Sequence, residues 1–347
     1  MTVVGRAGGV AERLVAEAGF PLATLRVSGV DVSNPGKVLR ALVQLPPSTL
    51  AAGALLRERA PDVVVGGGGY VCLPVVAAAR ARRLPVVLME QNAWPGRTTR
   101  LLAPRARVVA TSFEETRLRL RGARTVLTGN PIRREVRDLV GAPLNDRCTR
   151  ILVTGGSQGA RRLNQAVAGC VRALLEQDPD LRVTHQCGRR DRDAMREAAA
   201  TLPAALRERY VVEPFFDDIG RLMANADLVV MRAGGSSLAE CSALGRPMIL
   251  VPYPHAGGHQ RHNAAPYARA GAARVIEDAR CTPSVLQETI MSVMRDPAGW
   301  RLMAEASRGM GRPDAAERVA RLIHLVGQAS GSVAAPGRRE AGREVAS

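Results

Sequence analysis

Residues 226–263, ADLVVMRAGGSSLAECSALGRPMILVPYPHAGGHQRHN, decide the fold of this chain. An apolar run up to Met231 ends at the pair Gly234–Gly235 and a helical run follows, which predicts a strand, a tight turn and a helix. The free N–H groups at such a helix start bind phosphate. Glu240 lies one turn further on, where a carboxylate accepts the hydroxyls of a ribose. The pattern favours a nucleoside diphosphate site, and a tight turn with a serine cap is the alternative.

The second half of this stretch brings more polar side chains to the same place. The apolar run Pro247–Val251 predicts the next strand, and the loop after it carries His255, His259, Gln260 and Asn263. The carboxyl ends of parallel strands meet at one edge of an open α/β sheet, where ligands bind. This second loop therefore favours a ligand site over a plain turn.

Length and strand spacing indicate two α/β domains. A chain of 347 residues is too long for one ordinary core. Short β-branched runs alternate with helical segments such as 161–177 and 192–200, a pattern typical of parallel sheets covered by helices. The turn-rich stretch 141–146 sets the predicted domains at residues 1–143 and 144–326. Residues 327–347 are mostly Gly, Ala, Ser, Pro and Arg, which predicts a disordered tail.

The charge of the chain points to anionic partners. Lysine and arginine number 49 against 32 aspartates and glutamates, for a net charge of +17, and nearly all the cations are arginine. Such an excess favours phosphorylated substrates, an anionic membrane surface or nucleic acid, and an arginine-rich proteome is the plain alternative. Aromatic residues make up only 3% of the chain. Since no nucleic-acid-binding motif accompanies the charge, no nucleic acid partner is expected.

Cysteine spacing and hydropathy exclude several classes of protein. The six cysteines are scattered, without a Cys-x-x-Cys pair or a histidine at ligand spacing. They are typical of reduced thiols in a cytoplasmic protein and predict no metal site. No signal sequence and no run of 18 apolar residues occurs, so no membrane-spanning segment is expected.

Further loops with polar or glycine residues follow other predicted strands. Thr154–Arg161 has the glycines, the Ser157 hydroxyl and the helix start of a phosphate site, but lacks the Gly-Lys-Ser/Thr of an ATP-hydrolysing P-loop. Gly66–Gly69 leaves room for a ligand against the backbone. Glu90–Asn92 offers polar groups beside it, and a capped turn is the alternative. Arg133 follows a third strand and points to the region between the domains.

Taken in order, these motifs resemble those of one family. Gly-Gly-Tyr-Val, Glu-Gln-Asn, Gly-Asn-Pro-x-Arg, Gly-Gly-Ser-Gln-Gly-Ala-Arg, Phe-x-Asp-Asp, Arg-x-Gly, Ala-Glu, Pro-x-x-His and His-Gln-x-x-Asn-Ala occur here in its order and spacing, from about residue 2 to about residue 325. The family is that of the UDP-N-acetylglucosamine:N-acetylmuramyl-(pentapeptide) pyrophosphoryl-undecaprenol N-acetylglucosamine transferases.

This resemblance implies a fold and a reaction. The fold is the GT-B type, with two Rossmann-like, doubly wound parallel-sheet domains. The reaction is inverting transfer of N-acetylglucosamine (GlcNAc) from UDP-GlcNAc to the C4 hydroxyl of undecaprenyl-diphospho-MurNAc-pentapeptide (lipid I), which gives lipid II. No cofactor and no catalytic metal are implied, because helix starts and arginine neutralise the departing UDP.

The resemblance also carries roles to positions of this sequence. It implies that Ser157 contacts the diphosphate, that the backbone at Phe216 reads uracil, and that Glu240 holds the ribose. Gln260 would hold the hydroxyls of the sugar. The implied donor-binding residues are Arg133, Ser157, Phe216, Ser236, Ser237, Glu240, His259 and Gln260. The implied acceptor-side residues are Gly69, Tyr70 and Asn92, with Glu90 beside them.

One departure from the family concerns the proton acceptor. Its members begin with a strand that ends in a Gly-Gly-x-Gly-Gly-His loop, which binds the acceptor diphosphate and supplies the favoured base. Here residues 1–5 correspond to the second strand of the family, and no histidine precedes His185. Since a positioned base contributes about a hundredfold to ten-thousandfold, we expect a truncated chain of low activity, with Glu90 as the remaining candidate base. Cys72 and Thr99 also depart from the family on the acceptor side.

A membrane-docking patch is expected because the implied acceptor carries a polyprenyl chain. The resemblance implies a peripheral protein on the cytoplasmic face of the bacterial cell membrane, held there by an apolar patch with basic residues around it. The apolar candidates are Leu39, Leu42, Val43, Leu45, Leu50, Leu55, Leu56 and Trp94, and the basic ones are Lys37, Arg40, Arg57 and Arg59. The alternative is that most of these leucines belong to the core.

Two other functions stay open on the sequence alone. Another UDP-sugar glycosyltransferase or a UDP-sugar epimerase would have the same nucleotide grip, and dependence on an acceptor distinguishes these enzymes. A non-catalytic protein that binds UDP-GlcNAc and has lost its acceptor loop is the other possibility.

Overall fold

The computed structural model of the protein describes residues 1–8, 11–27, 35–156, 159–255 and 258–331. Within these ranges the strands form parallel sheets, two in the first half of the chain and one in the second. Helices connect the strands. The α/β fold class predicted from strand spacing is confirmed.

The first half of the chain contains a two-stranded and a four-stranded sheet. The strands are β1 (Val3–Arg6), β2 (Leu22–Leu25), β3 (Val64–Gly66), β4 (Val86–Glu90), β5 (Val108–Thr111) and β6 (Thr125–Leu127). The helices are α1 (Ala11–Glu17), α2 (Pro35–Arg59), α3 (Cys72–Ala81), α4 (Arg97–Leu102), α5 (Glu114–Arg119) and α6 (Arg134–Arg137). Strand β1 pairs with β2, and the larger sheet has the order β3-β4-β5-β6.

The second half of the chain builds one six-stranded sheet. The strands are β7 (Arg150–Thr154), β8 (Arg182–Gln186), β9 (Tyr210–Glu213), β10 (Leu228–Met231), β11 (Met248–Leu250) and β12 (Ala273–Val275). The helices are α7 (Arg161–Gln177), α8 (Arg192–Ala200), α9 (Ala204–Arg207), α10 (Ile219–Asn225), α11 (Gly235–Ala243), α12 (His259–Arg269), α13 (Pro283–Met294), α14 (Pro297–Met310) and α15 (Ala315–Gly331). The strand order is β12-β11-β10-β7-β8-β9. Strands β8 and β9 follow on one side of β7, and β10 to β12 follow on the other side. The strand order therefore switches between β7 and β10, where such sheets bind ligands.

Burial explains which strands the sequence predicts well. Every residue of β10 and β11 is completely buried. A parallel strand that helices cover on both faces has no solvent-facing side chains. Its sequence is therefore a continuous apolar run and does not alternate between polar and apolar residues. The runs at 228–230 and 248–251 therefore predict these strands to within one residue. Strand β2 was not predicted, because its four residues, LATL, are mostly half-buried and form no such run.

Helix α2 divides the leucines that were candidates for membrane docking. Leu56 packs in the core of the first half, so the core alternative is right for this residue. Leu45 and Leu55 are half-buried. Four side chains are between 60% and 77% exposed: Leu39, Leu42, Val43 and Leu50. The side chains of Lys37 and Arg40 lie outside the described residues, and no described helix is long and apolar enough to cross a bilayer.

The last helix, α15, returns to the first half of the chain. Leu322, Ile323 and Val326 pack with Val87 and Val108 of the four-stranded sheet. Helix α15 continues through Gly331, beyond these apolar contacts, so the domain end predicted at residue 326 falls inside it and residues 327–331 of the predicted disordered tail are helical. The rest of the predicted disordered tail, residues 332–347, lies outside the described residues.

The chain therefore crosses between its two halves twice, and the two crossings lie side by side. At the first crossing the buried guanidinium of Arg246 donates to the carbonyls of Ala142 (2.6 Å) and Pro143 (3.1 Å). The second crossing leads into α15 and passes Gly129, which has a φ of +84°. A Cβ atom placed on Gly129 would lie only 2.6 Å from the Cβ of Arg312 in this crossing. An ion pair of 2.6 Å between Arg137 and Glu317 joins the crossings.

A buried histidine organises the core of the second half. The Nδ1 atom of His185 lies 2.8 Å from the hydroxyl of Tyr210, and its Nε2 lies 3.0 Å from Oδ1 of Asn164. Since the amide nitrogen of Asn164 donates to the Cys187 carbonyl and to Asp191, its oxygen must accept, so Nε2 of His185 carries the proton. Burial lowers the pKa of His185 to about 3, which keeps the ring neutral.

We predict that this histidine makes the stability of the protein depend on pH. Its pKa is about 3 in the folded protein and about 6.5 when unfolded, so unfolding takes up a proton between these values. The free energy of unfolding therefore decreases as the pH is lowered, by about 2 kcal/mol between pH 7 and pH 5 for this group. Urea unfolding of wild type and His185→Gln at both pH values should show a smaller loss in the variant. Equal losses would contradict the prediction.

Candidate active site

Helix α11 begins at the carboxyl end of β10 with open backbone N–H groups. Gly234 is the residue before its first turn, and no side chain caps this start. Ser236 is exposed, and Ser237 is half-buried. The alternative of a serine-capped turn is therefore not what the structure contains. An uncapped helix start at a switch point is suited to bind an anion.

The loop after β4 lies directly against this helix start. A Cβ atom added at Gly235 would lie 2.6 Å from the carbonyl oxygen of Gln91, so only glycine fits there. Asn130 reaches the same place from the first crossing, with its amide nitrogen 3.5 Å from Oγ of Ser236. The predicted phosphate-binding turn thus lies directly against residues 90–96 and 130–133, and we call this junction between the two halves of the chain the cleft.

Glu240 and Arg133 face each other across this cleft. The Nε and NH2 atoms of Arg133 donate to the two carboxylate oxygens of Glu240 at 2.7 and 3.0 Å. Glu240 is buried, whereas about half of the Arg133 side chain is exposed. The hydrogen bond to Glu240 raises the pKa of Arg133. The sequence predicted both residues for the site but not that they would pair with each other.

Helix α12 carries the second loop of the site. Gly258 before it has a φ of +71°, which favours glycine. Gln260 accepts a hydrogen bond from the backbone N–H of Tyr253 (2.9 Å), and Nδ1 of His259 donates to the carbonyl of Trp94 (2.8 Å). The side chain of Gln260 therefore bonds within the second half of the chain, whereas that of His259 bonds to the loop after β4 in the first half.

A buried amide that sequence analysis left out of the binding set ties these loops together. Asn263, which is completely buried, accepts from the backbone N–H of Ala93 at 2.8 Å. Its amide nitrogen donates to Oδ1 of Asn92 at 3.1 Å and to the Ala233 carbonyl at 3.2 Å. One side chain therefore contacts the loop after β4 and the turn before α11 together. In the sequence, only its place in the His-Gln-x-x-Asn-Ala motif, three residues after Gln260, pointed to this residue.

Glu90, the predicted base, is buried and organises its own loop. Its Oε1 accepts from the backbone N–H and the side-chain amide of Asn92, and Oε2 accepts from the backbone N–H of Gly96, all at 3.0 Å. Only 3% of its surface is exposed. A carboxylate held in this way shapes the loop, and its role as proton acceptor stays a prediction.

The remaining predicted residues take no part in these contacts as far as the structure describes them. The backbone N–H of Phe216 donates to Oε1 of the buried Gln186 (3.1 Å), whose amide nitrogen reaches Thr154 at 3.3 Å. Gly69 and Tyr70 are exposed in the turn before α3. Ser157 lies outside the described residues. No group of three metal-ligating side chains occurs within the described ranges.

Trp94, a candidate for membrane docking, lies instead between the two halves of the chain. Its ring stacks on that of His262 with centroids 4.6 Å apart, and the guanidinium of Arg119 lies 4.5 Å from its centre. Its carbonyl is the acceptor for His259. Membrane contact by this side chain stays a prediction, and the half-buried ring packs the loop after β4 onto α12.

Comparison with known proteins gives these loops a family context. Residues 1–111 match the glycosyltransferase family 28 N-terminal domain, and residues 150–319 match its C-terminal domain. Two relatives bear the name UDP-N-acetylglucosamine--N-acetylmuramyl-(pentapeptide) pyrophosphoryl-undecaprenol N-acetylglucosamine transferase. The protein of Syntrophotalea carbinolica is 40% identical over 93% of this chain and 89% of its own, and that of Rhodospirillum rubrum is 42% identical over 87% and 79%.

A solved structure agrees with the sequence relatives. The crystal structure of MurG from Acinetobacter baumannii superposes with a TM-score of 0.72 at 29% identity, covering 93% of this chain and 90% of that one. The two-domain GT-B architecture that the sequence motifs implied is thereby confirmed.

We predict that Glu90→Gln destabilises the protein. The substitution keeps the size of the side chain but removes its charge and turns an amide N–H toward a backbone donor, which should cost about 1–3 kcal/mol. Urea unfolding of the variant measures this loss, with Glu208→Gln at an exposed position as control. If both variants unfold like the wild type, the carboxylate does not hold its loop as described.

Proposed function

This chain belongs to glycosyltransferase family 28, and from that premise we propose that it transfers GlcNAc from UDP-GlcNAc to the C4 hydroxyl of undecaprenyl-diphospho-MurNAc-pentapeptide. The observation that carries the proposal is the uncapped start of α11 with Glu240 one turn inside it, facing Arg133. A nucleoside diphosphate has the phosphates and the ribose diol that such a pair of groups would bind. The names of the relatives supply the sugar and the acceptor.

Donor binding would rearrange the charges of the cleft. The diphosphate would lie at the N–H groups of α11 near Ser236 and Ser237, with the ribose hydroxyls on Glu240. Arg133, half-exposed, would then turn from the carboxylate toward the phosphates, where a planar guanidinium binds two oxygens. Gln260 would take the hydroxyls of the sugar, the Phe216 backbone would face uracil, and Ser157 would add a hydroxyl to the diphosphate.

The transfer step breaks one bond and forms another at the anomeric carbon. The C4 oxygen of the acceptor would attack this carbon from the face opposite UDP, so its configuration inverts. The bond from the carbon to the β-phosphate oxygen breaks, and its electron pair leaves with UDP, whose added charge Arg133 and the α11 dipole stabilise. The hydroxyl proton passes to a base on the acceptor side.

Glu90 is the base proposed from the sequence, and Asn92, Gly69 and Tyr70 would line the acceptor side around it. The buried carboxylate with three donors also supports a second reading, in which Glu90 only positions Asn92. The two roles differ in kinetics. Loss of a base lowers kcat by about a hundredfold or more, whereas a displaced loop mainly raises the acceptor KM.

The experiment that tests the function is transfer of labelled GlcNAc to a short-chain analogue of the acceptor. We expect transfer that requires the acceptor, and Glu240→Gln should raise the KM for UDP-GlcNAc about tenfold or more, because two charge-assisted hydrogen bonds are weakened. Glu305→Gln, at an exposed position of α14, is the matched control. UDP-GlcNAc turnover without an acceptor would indicate an epimerase or hydrolase, and donor binding without turnover would indicate a binding protein.

We also propose that α2 docks the protein on an anionic bilayer, on the cytoplasmic face where the polyprenyl acceptor is reached. Leu39, Leu42, Val43 and Leu50 expose most of their surface on one helix, and Arg57 and Arg59 are exposed at its end. Apolar side chains that enter the headgroup region, with cations beside them, give reversible binding to anionic lipid.

We predict that Leu42→Gln with Val43→Gln weakens binding to vesicles that contain phosphatidylglycerol, by about tenfold or more. Flotation with the vesicles measures this effect. Leu302→Gln, a similarly exposed leucine on α14, should leave flotation unchanged. If the double variant floats as the wild type does, α2 is not the docking element.

A further inference from the structure

A cavity of about 320 Å³ opens beside the proposed acceptor side, and the proposed reaction leaves it unused. Its lining combines an aromatic ring and apolar side chains with three guanidinium groups: Trp94, Leu118, Leu120, Arg100, Arg119 and Arg121. Trp94 belongs to the loop after β4, the same loop that carries Glu90 and Asn92. The cavity therefore shares a wall with the cleft in which the acceptor would bind.

The positive charge of this cavity is not balanced by nearby acids. Within the described residues, none of the three arginines of the cavity has a carboxylate partner. The acids closest in sequence are engaged elsewhere: Glu114 pairs with Arg117, and Glu115 pairs with Arg269 of the second half. Arg119 donates to a backbone carbonyl and lies over the Trp94 ring. Such a group of cations around an apolar floor is suited to an organic anion.

The proposed acceptor brings such an anion within reach. Its pentapeptide is attached through the lactyl group at C3 of the muramyl sugar, next to the reacting C4 hydroxyl, and spans up to about 17 Å when extended. On the protein, the carbonyl of Trp94 lies 2.8 Å from His259, the neighbour of Gln260. Trp94 therefore contacts the helix that carries Gln260 through its carbonyl and also lines the cavity.

We propose that this cavity binds a carboxylate of the pentapeptide stem of the acceptor. The inference rests on the proposed function, since it assigns a further part of the same substrate. A carboxylate tethered to a sugar that is already bound has a high effective concentration, so exposed cations of modest individual strength suffice to hold it. Arg100 and Arg121 would pair with the carboxylate, and Trp94 with Leu118 would contact the peptide side chains.

The test uses two short-chain acceptor analogues in neutral detergent, one with free peptide carboxylates and one with these groups amidated. Wild type should show an acceptor KM about fivefold lower for the free acid, an effect that corresponds to one exposed ion pair and shrinks with salt. In Arg100→Gln/Arg121→Gln this preference should vanish, with kcat and the KM for UDP-GlcNAc unchanged. Arg207→Gln/Arg295→Gln removes two exposed charges elsewhere and should keep the preference.

Several outcomes would overturn the proposal. One is a wild type that treats both analogues alike, and another is a double variant that raises the KM of both equally. If the double variant keeps the preference but no longer floats with phosphatidylglycerol vesicles, the cavity binds a lipid headgroup instead.

A direct titration separates this proposal from the proposed function. Trp94 fluorescence reports binding of the analogues without turnover, because the other tryptophan, Trp300, is buried away from the cavity. If no transfer occurs at all, the proposed function fails. Tighter binding of the free acid by wild type, absent in the double variant, would still support the cavity, and equal binding would overturn it.

Discussion

The buried amide of Asn263 is the contact on which the cleft depends. Its oxygen faces a donor on the loop after β4, and its nitrogen faces two acceptors, one on that loop and one on the turn before α11. A carboxylate in its place would meet two oxygens, and a longer amide would not fit the same three partners. Two of these bonds are buried, so this side chain holds the loop after β4 against the turn before α11, together with the contacts of His259 and His262 with Trp94.

The charged groups of the cleft all have partners within the protein. Arg133 neutralises Glu240, and Glu90 is held by its own loop. A nucleotide would therefore exchange one set of ion pairs for another and would not meet bare charges. Such an exchange keeps the desolvation cost of buried charges low in both states. Residues that we propose to bind the donor are thus also structural contacts between the two halves of the chain.

Sequence reasoning succeeded where local pattern controls structure. Helix α7 was predicted at 161–177, its observed bounds, because its apolar periodicity and the glycine turn before it both lie within one segment. It failed where partners come from distant parts of the chain. Three features need a second surface that no local stretch of sequence contains. They are the stacking of Trp94 on His262, the pairing of Arg133 with Glu240 and the packing of α15 on the four-stranded sheet. The sequence predicts candidate site residues, but not which of them contact one another.

The two side-by-side crossings have a mechanical consequence. A body joined to another by one strand of chain can swivel about that strand, whereas two parallel connections resist torsion and permit bending. Here the connections are pinned by Arg137 and Glu317, and Arg312 lies against Gly129 where no side chain fits between them. Twisting of one half of the chain against the other would therefore have to separate Arg312 from Gly129 and break the ion pair of Arg137 with Glu317.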